Sequence, residues 1–304
     1  MTEPTRSESL GDLGEERLVE RIVGTLRTGP EVVVGPGDDC AAVDIGGEEW
    51  QLLKTDCLVE GVHFAAGTDP LLVGHKAMNR SLSDIAAMGG RPGHALVTIA
   101  SHPDRAAAEV EGWYRGMVEA GALFGCAIVG GETAKLPERG AVISIALTGF
   151  VRPEGCVRRG GSSVGDAIAV TGRLGGSFES GRHLAFTPRI AEARWLCEHR
   201  RPTSMMDLSD GLGSDLPRLA RAAGLGYRVD LSKLPLHEGV TVDDAVANGE
   251  DYELLMTLAP EDVDSLREEW RSAFPDLPLT VIGEITETTE EPLERGWEHY
   301  RGDE

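Results

Sequence analysis

Apolar positions recur along the chain with two different spacings. Leu13, Leu18, Ile22 and Leu26 form one apolar stripe, which predicts a helix after a polar N-terminus. Short apolar runs bounded by Gly, Asp or Pro predict strands between the longer helical segments. Further helices are predicted over residues 73–88, 105–124 and 188–200, and a strand followed by a helix over 204–223. Further strands are predicted over 31–34, 50–53, 95–100, 127–129, 142–151, 167–171, 227–231, 251–258 and 280–283.

Strands and helices interleave in both halves of the chain. This pattern favours an α/β or α+β class over an all-helical or all-β one. Residues 151–165 interrupt the pattern with Pro153, several Gly and Ser residues and three arginines. Such a stretch is typical of a junction between domains. We therefore expect two domains, residues 1–151 and 152–304.

Charge and cysteine usage narrow the possible partners and the compartment. The net charge of -22, from 51 acidic and 29 basic residues, opposes binding to nucleic acid or to an anionic membrane. It is compatible with a nucleotide if metal cations lie between carboxylates and phosphates. The five cysteines form no short-range pair, and no secretory signal or membrane-length apolar stretch is present. We expect a reduced, cytoplasmic protein.

The common phosphate-binding loops are absent, and acidic turns take their place. No G-x-x-x-x-G-K-[ST] or G-x-G-x-x-G occurs. The acidic, glycine-flanked turns are GDDCAAVD, KTDCLVEGVHF, VGGETA, MMDLSDGLGSDL and NGEDYELLM. Magnesium prefers such oxygen ligands and shares its shell with substrate phosphates. The candidate ligands are Asp39, Asp56, Asp84, Glu132, Asp207 and Asp210.

Single acidic residues in such turns have a simpler explanation. Asp beside Gly usually forms a turn, and Asp or Ser before a helix usually caps it, which we favour for Asp38, Asp207, Ser209 and Asp210 taken singly. Asp84 differs because it lies among apolar residues of a predicted helix, where a buried carboxylate needs a cation or hydrogen-bond donors. A buried cap is its alternative, and His63 is either a packed core histidine or a substrate contact.

The order of these segments resembles the thiamine-monophosphate kinase family, whose superfamily includes aminoimidazole ribonucleotide synthetase. The resemblance runs from Gly35 to Tyr300 and comprises GDD, TD-x-x-x-EG-x-HF, SD-x-AAMG-x-x-P, GGE, RRGGSSVGD, D-x-SDGL, GEDYEL and GWEHY. It implies an N-terminal domain with a mixed sheet used in homodimer formation and a C-terminal α/β domain that closes over the nucleotide. It also implies ATP and thiamine monophosphate as substrates, with several magnesium ions.

The resemblance further implies roles for individual residues. The magnesium positions are Asp39, Thr55, Asp56, Asp84, Glu132, Asp207 and Asp210. The ATP positions are Tyr114, Gly131, Glu132, Arg159 and Ser209, and the acceptor positions are His63, Glu250 and Trp297. The family usually has Asp where this chain has Glu132, so the carboxylate moves outward by about one carbon–carbon bond, roughly 1.5 Å. Trp297 stacks on the cationic thiamine ring in this interpretation, or packs on the core as a tail residue.

The implied reaction is direct in-line transfer, for which neither an enzyme nucleophile nor a general base is required. One alternative is another enzyme of the superfamily: a ring-closing synthetase, a selenophosphate-forming enzyme or a carbamoyl-dehydrating maturation factor of hydrogenases. The last two are expected to use a Cys near one terminus, and none precedes Cys40 or follows Cys197. A non-catalytic nucleotide-binding regulator is the other alternative, for which Glu132 is the only indication.

Overall fold

Helices and strands alternate along the computed structural model, which describes residues 8–199, 202–289, 291–293, 296 and 300. The strands are β1 (Val32–Val34), β2 (Ala41–Val43), β3 (Trp50–Val59), β4 (Arg91–Ser101), β5 (Ala127–Lys135), β6 (Ala141–Val151), β7 (Ala167–Thr171), β8 (Ser204–Asp207), β9 (Gly226–Val229), β10 (Leu254–Leu258) and β11 (Leu279–Thr286). The helices are α1 (Leu10–Leu13), α2 (Glu15–Val23), α3 (Pro70–Ala87), α4 (Ala107–Leu123), α5 (Ile190–His199), α6 (Leu212–Ala222), α7 (Val242–Ala247) and α8 (Val263–Ala273).

The first half of the chain forms a six-stranded sheet in the order β1-β2-β3-β6-β4-β5. The β4 and β5 strands are parallel and the other neighbours are antiparallel, so the mixed sheet expected from the family resemblance is confirmed. Side chains alternate in burial along β6, where Ile143, Ile145 and Leu147 point inward. The inward face packs against α3 and α4, and the opposite face is exposed.

Two glycines bring α3 and α4 into close contact. A Cβ atom at Gly74 would lie 2.1 Å from the carbonyl oxygen of Trp113, and one at Gly116 would lie 2.1 Å from that of Leu71. Only glycine permits this approach of two backbones. Directly before α3, Oδ1 of the capping residue Asp69 accepts a hydrogen bond from the Leu71 amide at 2.9 Å. The N-terminal part of α3 is therefore held closely against α4.

The second half forms a five-stranded sheet in the order β8-β10-β7-β11-β9, with antiparallel pairing throughout. All five residues of β10 are buried, because the strand lies inside the sheet with both faces covered. The α3 helix packs against β3 and β6 of the first sheet and also against β8 and α5. It is therefore the element that lies between the two sheets, and the expected α/β or α+β class is confirmed.

The observed elements differ from the predicted ones in several places. The predicted strand over residues 50–53 continues to Val59, so Asp56 lies within β3 and not at its end. The predicted N-terminal helix is two helices separated by Gly14. Three elements were not predicted, β2, α7 and α8, because each is short or strongly polar. Among the described residues, no helix combines the length and apolar character needed to cross a membrane.

Candidate active site

Three carboxylates from distant parts of the chain meet where α3 lies against β8. Asp84 is on α3, Asp207 is the last residue of β8, and Asp39 lies in the loop between β1 and β2. Each is at most 7% exposed, and one oxygen from each lies within 4.8 Å of the others. The structure thus brings together three of the predicted magnesium ligands. Carboxylate oxygens at this spacing suit a single divalent cation.

Two basic side chains contact this carboxylate group. Lys54 Nζ donates to Asp84 Oδ1 at 2.6 Å, from the face of β3 that points toward α3. Arg159 donates to both oxygens of Asp39, from Nη2 at 2.6 Å and from Nε at 3.3 Å. Since two cations face three carboxylates, one negative charge has no counterpart among them.

The pKa values of these carboxyls reflect the crowding. Burial raises the pKa of Asp84 well above its ordinary value, against the lowering effect of Lys54. Burial and then repulsion from Asp39 raise the pKa of Asp207 to about 7, although Ser83 Oγ donates to Asp207 Oδ2 at 2.6 Å. A bound cation would relieve both the desolvation and the repulsion. The donor set therefore fits a hard divalent metal.

Two more predicted ligands face an adjoining cavity of about 590 Å³. Asp56 pairs with Arg80 of α3 at 3.2 Å, and Asp210 pairs with Arg218 of α6. Residues that line this cavity include Lys54, Asp56, Arg80, Asp84, Arg159, Asp207, Ser209, Asp210, Asp215, Arg218 and Tyr252. The cavity thus joins the predicted metal ligands to Arg159 and Ser209, which were predicted to contact ATP.

Asp215 is an acidic residue of this region that was not among the predicted ligands. Its side chain is fully buried and its Oδ2 accepts a hydrogen bond from the Asp210 amide at 3.0 Å, while Oδ1 lies 3.1 Å from Arg218. Burial, with repulsion from Asp210, raises its pKa well above the ordinary value. The sequence SDGLGSDL does indicate a second acidic position, because its second SD repeats the first. Asp215 was not predicted because acidic residues are common in the first turn of a helix, where α6 places it.

The segment that carries Glu250 is hydrogen-bonded to the backbone that follows Asp207. The Glu250 amide donates to the Ser209 carbonyl at 2.7 Å, and the Tyr252 amide donates to that of Leu208 at 2.8 Å. Glu250 and Tyr252 have φ values of +68° and +52°, and they are the described non-glycine residues with positive φ. Such backbone is sparsely populated and clusters at functional sites. The Leu208–Ser209 carbonyls thus fix this segment next to Asp207.

His63 and Glu250, two of the predicted acceptor contacts, meet at a lysine. Lys76 Nζ lies 2.6 Å from the His63 carbonyl oxygen and 2.6 Å from Glu250 Oε2. The side chain of Lys76 is completely buried. Lys76 was not among the predicted site residues, although a lysine among apolar residues of a predicted helix is a visible signal.

Thr55, Gly131 and Glu132 lie elsewhere, on β3 and β5. Thr55 and Glu132 are exposed on the outer face of the six-stranded sheet, away from α3, and neither belongs to the buried carboxylate group. A Cβ atom at Gly131 would lie 1.9 Å from the Val97 carbonyl oxygen, so strand packing alone requires glycine there. The metal and nucleotide roles of these three residues stay predictions.

Two further predicted contacts also stay predictions. Tyr114 is half-buried on α4, where it packs against the hydrophobic core of the first half. Trp297 lies outside the described residues.

The two halves match known family models. Residues 37–151 match the N-terminal domain of AIR synthase related proteins, and residues 160–294 match their C-terminal domain. The fold and the buried carboxylates between its two sheets thus define a two-domain protein of the AIR synthase related class.

Full-length relatives narrow this class. Thiamine-monophosphate kinase of Rhodopirellula baltica is 35% identical, with 90% of each chain covered. That of Aquifex aeolicus is 33% identical, with 96% of this chain and 99% of that one covered. The structure of AaThiL complexed with AMPPCP and TMP superposes with a TM-score of 0.83 at 32% identity, over 98% of this chain and 100% of that chain. The chain belongs to the thiamine-monophosphate kinase family.

Proposed function

We propose that this protein transfers the γ-phosphoryl group of ATP to thiamine monophosphate, forming thiamine diphosphate and ADP. The observation that carries the proposal is the group of Asp39, Asp84 and Asp207 beside an open cavity, in a chain of this family. AaThiL, complexed with AMPPCP and TMP, has the same fold over nearly the whole chain.

Magnesium is the metal that this donor set suits best, because a hard cation prefers carboxylate oxygens and keeps room for phosphates. Asp39, Asp84 and Asp207 would hold it, and Asp56 and Asp210 face the same cavity. Thr55 and Glu132 lie on the outer face of the sheet, so a magnesium ion that they bind would be separate from the one held by Asp39, Asp84 and Asp207. When bound, magnesium neutralises the negative charge that spreads over the phosphoryl oxygens in the transition state.

The chain's own residues supply fixed charge and orientation. Lys54, Arg80, Arg159 and Arg218 line the cavity and offer positive charge to a polyphosphate. Tyr114, Gly131, Glu132, Arg159 and Ser209 are the proposed ATP contacts, and His63, Glu250 and Trp297 the proposed acceptor contacts. In the transfer step, an acceptor phosphate oxygen bonds to the γ-phosphorus while the bond to the bridging oxygen of ADP breaks. A phosphate monoester with a second pKa of about 6 is already ionised at neutral pH, so no base is needed.

A second copy of the chain would cover the outer face of the six-stranded sheet. Leu53, Leu96 and Val129 on β3, β4 and β5 are 42%, 50% and 60% exposed on the first half of the chain. Apolar residues exposed on one face of a sheet mark an association surface. We infer a homodimer through the domain 1–151, with the domain 152–304 closing the active site.

Light scattering after size exclusion should give twice the chain mass, and Leu96→Lys should give the mass of one chain. A Leu96→Lys protein that keeps the doubled mass would place the interface elsewhere.

Turnover by the purified protein tests the proposed reaction. Incubation with ATP, magnesium and thiamine monophosphate should yield thiamine diphosphate and ADP in equal amounts, separated by chromatography. Omission of magnesium, or of the acceptor, should stop product formation. Hydrolysis of ATP at the same rate without thiamine monophosphate would contradict the proposal.

A further inference from the structure

A lysine is completely buried in the middle of α3. The Nζ atom of Lys76 lies 2.6 Å from each of three groups: the His63 carbonyl oxygen, Nδ1 of His183 and Oε2 of Glu250. These partners match in number the three N–H groups of an ammonium. A buried charge is costly unless it is paired and fully hydrogen-bonded, and Lys76 meets both conditions.

The three partners come from both halves of the chain. His63 follows β3 of the first sheet, whereas His183 lies in a short 3-10 helix (Arg182–Leu184) and Glu250 in a loop of the second half. Lys76 therefore connects one segment of the first half to two segments of the second. Two of the residues it holds, His63 and Glu250, are the proposed acceptor contacts that the structure describes.

The side chain of Lys76 is buried too deeply to contact a substrate directly. Its side chain is 0% exposed, whereas that of Glu250 is 16% exposed. A ligand can reach the carboxylate but not the ammonium group. Burial raises the pKa of Glu250, but its hydrogen-bonding and charged neighbours, among them the ammonium of Lys76, outweigh it and lower the pKa to about 2. The carboxylate thus keeps the negative charge that a cationic ring would meet.

We propose that Lys76 is a positioning residue of the acceptor site, which aims the Glu250 carboxylate and fixes the His63 backbone without touching substrate. This inference rests on the proposed function, because Glu250 and His63 are acceptor contacts only in that reaction. The positive φ of Glu250 supports it, since a backbone in this conformation persists only where its surroundings hold it. The hydrogen bond from Lys76 to the Glu250 carboxylate helps to hold the residue in this conformation.

Binding measured by calorimetry tests the inference independently of turnover. The probes are thiamine monophosphate and, separately, AMPPCP with magnesium. Lys76→Met should weaken thiamine monophosphate binding about tenfold or more and change AMPPCP binding less than about twofold. Lys233→Met, at a lysine side chain that is 59% exposed, is the matched control and should change neither. Equal weakening of both ligands by Lys76→Met, or no weakening, would overturn the inference.

A double-mutant cycle distinguishes positioning from general support of the fold. If Lys76 acts through Glu250, the Lys76→Met, Glu250→Gln double variant should bind thiamine monophosphate no more weakly than the weaker single variant. Additive losses would mean that the lysine acts independently of that carboxylate. The double variant also removes the unpaired buried carboxylate that could prevent Lys76→Met from folding. A wild-type protein that binds thiamine monophosphate without forming thiamine diphosphate would refute the proposed reaction while leaving this test valid.

The pH dependence of the wild type supplies a test that needs no variant. Burial, opposed by Glu250, lowers the pKa of Lys76 to about 8, so its charge is present below that pH and lost above it. The other charged or titratable groups around it are Glu250, His183, His63, Arg80 and Asp56. Thiamine monophosphate binding should weaken above about pH 8, and AMPPCP binding should not. Unchanged acceptor binding up to pH 9.5 would count against the inference.

Discussion

Asp84→Asn keeps the shape of a buried side chain on α3 and removes its charge. In the wild type, Asp39, Asp84 and Asp207 face Lys54 and Arg159, so the change leaves two carboxylates against two cations. Lys54 can still donate to the amide oxygen. Because the raised pKa of Asp84 means that the fold disfavours its ionised form even beside Lys54, we expect Asp84→Asn not to lower the free energy of unfolding of the metal-free protein at pH 7.

The pH dependence of stability should change in a defined direction. The pKa of Asp207 is raised from 3.8 to about 7 in the folded chain, and burial raises that of Asp84 well above its ordinary value. A carboxyl with a raised folded pKa contributes stability that is present below pH 3.8 and lost as the pH rises through the folded value. The metal-free wild type should therefore lose stability between about pH 4 and 7, and Asp84→Asn should lose less.

Magnesium should stabilise the wild type much more than Asp84→Asn. At a concentration 100 times its dissociation constant, a ligand stabilises the folded wild type by about 2.7 kcal/mol, which raises Tm by about 4 °C for a chain of this length. Asp84→Asn should lose most of this rise, and its kcat/KM should fall at least about 100-fold, or about 2.7 kcal/mol of transition-state stabilisation. Thermal unfolding with and without magnesium, together with turnover, measures both. Asp276→Asn, at an exposed carboxylate, is the control. A variant with wild-type turnover and an unchanged magnesium-dependent rise would refute the metal assignment.

Three further substitutions test the remaining site assignments. Asp56→Asn should reduce turnover at least about 100-fold at saturating magnesium while the protein stays folded, and normal turnover would remove Asp56 from the ligand set. Glu132→Asp should raise the magnesium concentration needed for half-maximal rate or lower the rate, and no change in either would mean that Glu132 does not bind metal. Trp297→Ala should raise KM for thiamine monophosphate about tenfold, from a loss of up to about 2 kcal/mol of stacking, and spare KM for ATP. The reverse pattern would place Trp297 in the nucleotide pocket.

The sequence predicted the alternation of elements well where the apolar periodicity was strong. The helix over residues 73–88 corresponds to α3, and the strand over 167–171 coincides with β7. The strand containing Asp56 was cut short because Lys54 and Asp56 interrupt its apolar pattern. The side chains of both residues extend to α3, where they contact Asp84 and Arg80. The predicted strand was therefore too short because polar residues of the site interrupt the apolar pattern.

The sequence predicted which residues form the carboxylate group but not how they are arranged in space. Asp39, Asp84 and Asp207 were selected from acidic turns, yet their sequence separations of tens to more than a hundred residues carry no distance information. The cationic partners were harder to find. Lys54 lies in the KTDCLVEGVHF turn. Lys76 is set among apolar residues of the predicted helix, but only the structure shows that it is buried there and that Arg80 contacts Asp56. Tertiary contact, which periodicity does not report, made them part of the site.

The two sides of the proposed reaction are coupled through α3. Lys76 and Asp84 are eight residues apart on this helix, which places them about 12 Å apart along its axis. One holds the acceptor loops and the other belongs to the metal group, so a rigid helix sets the distance between acceptor and metal. The contact of Gly74 with Gly116 fixes the same helix against α4. In-line transfer depends on reacting atoms held about 3–3.5 Å apart, so a shift of about 1 Å in α3 would be costly. This requirement explains why a helix buried on all sides keeps polar residues that the core alone would not favour.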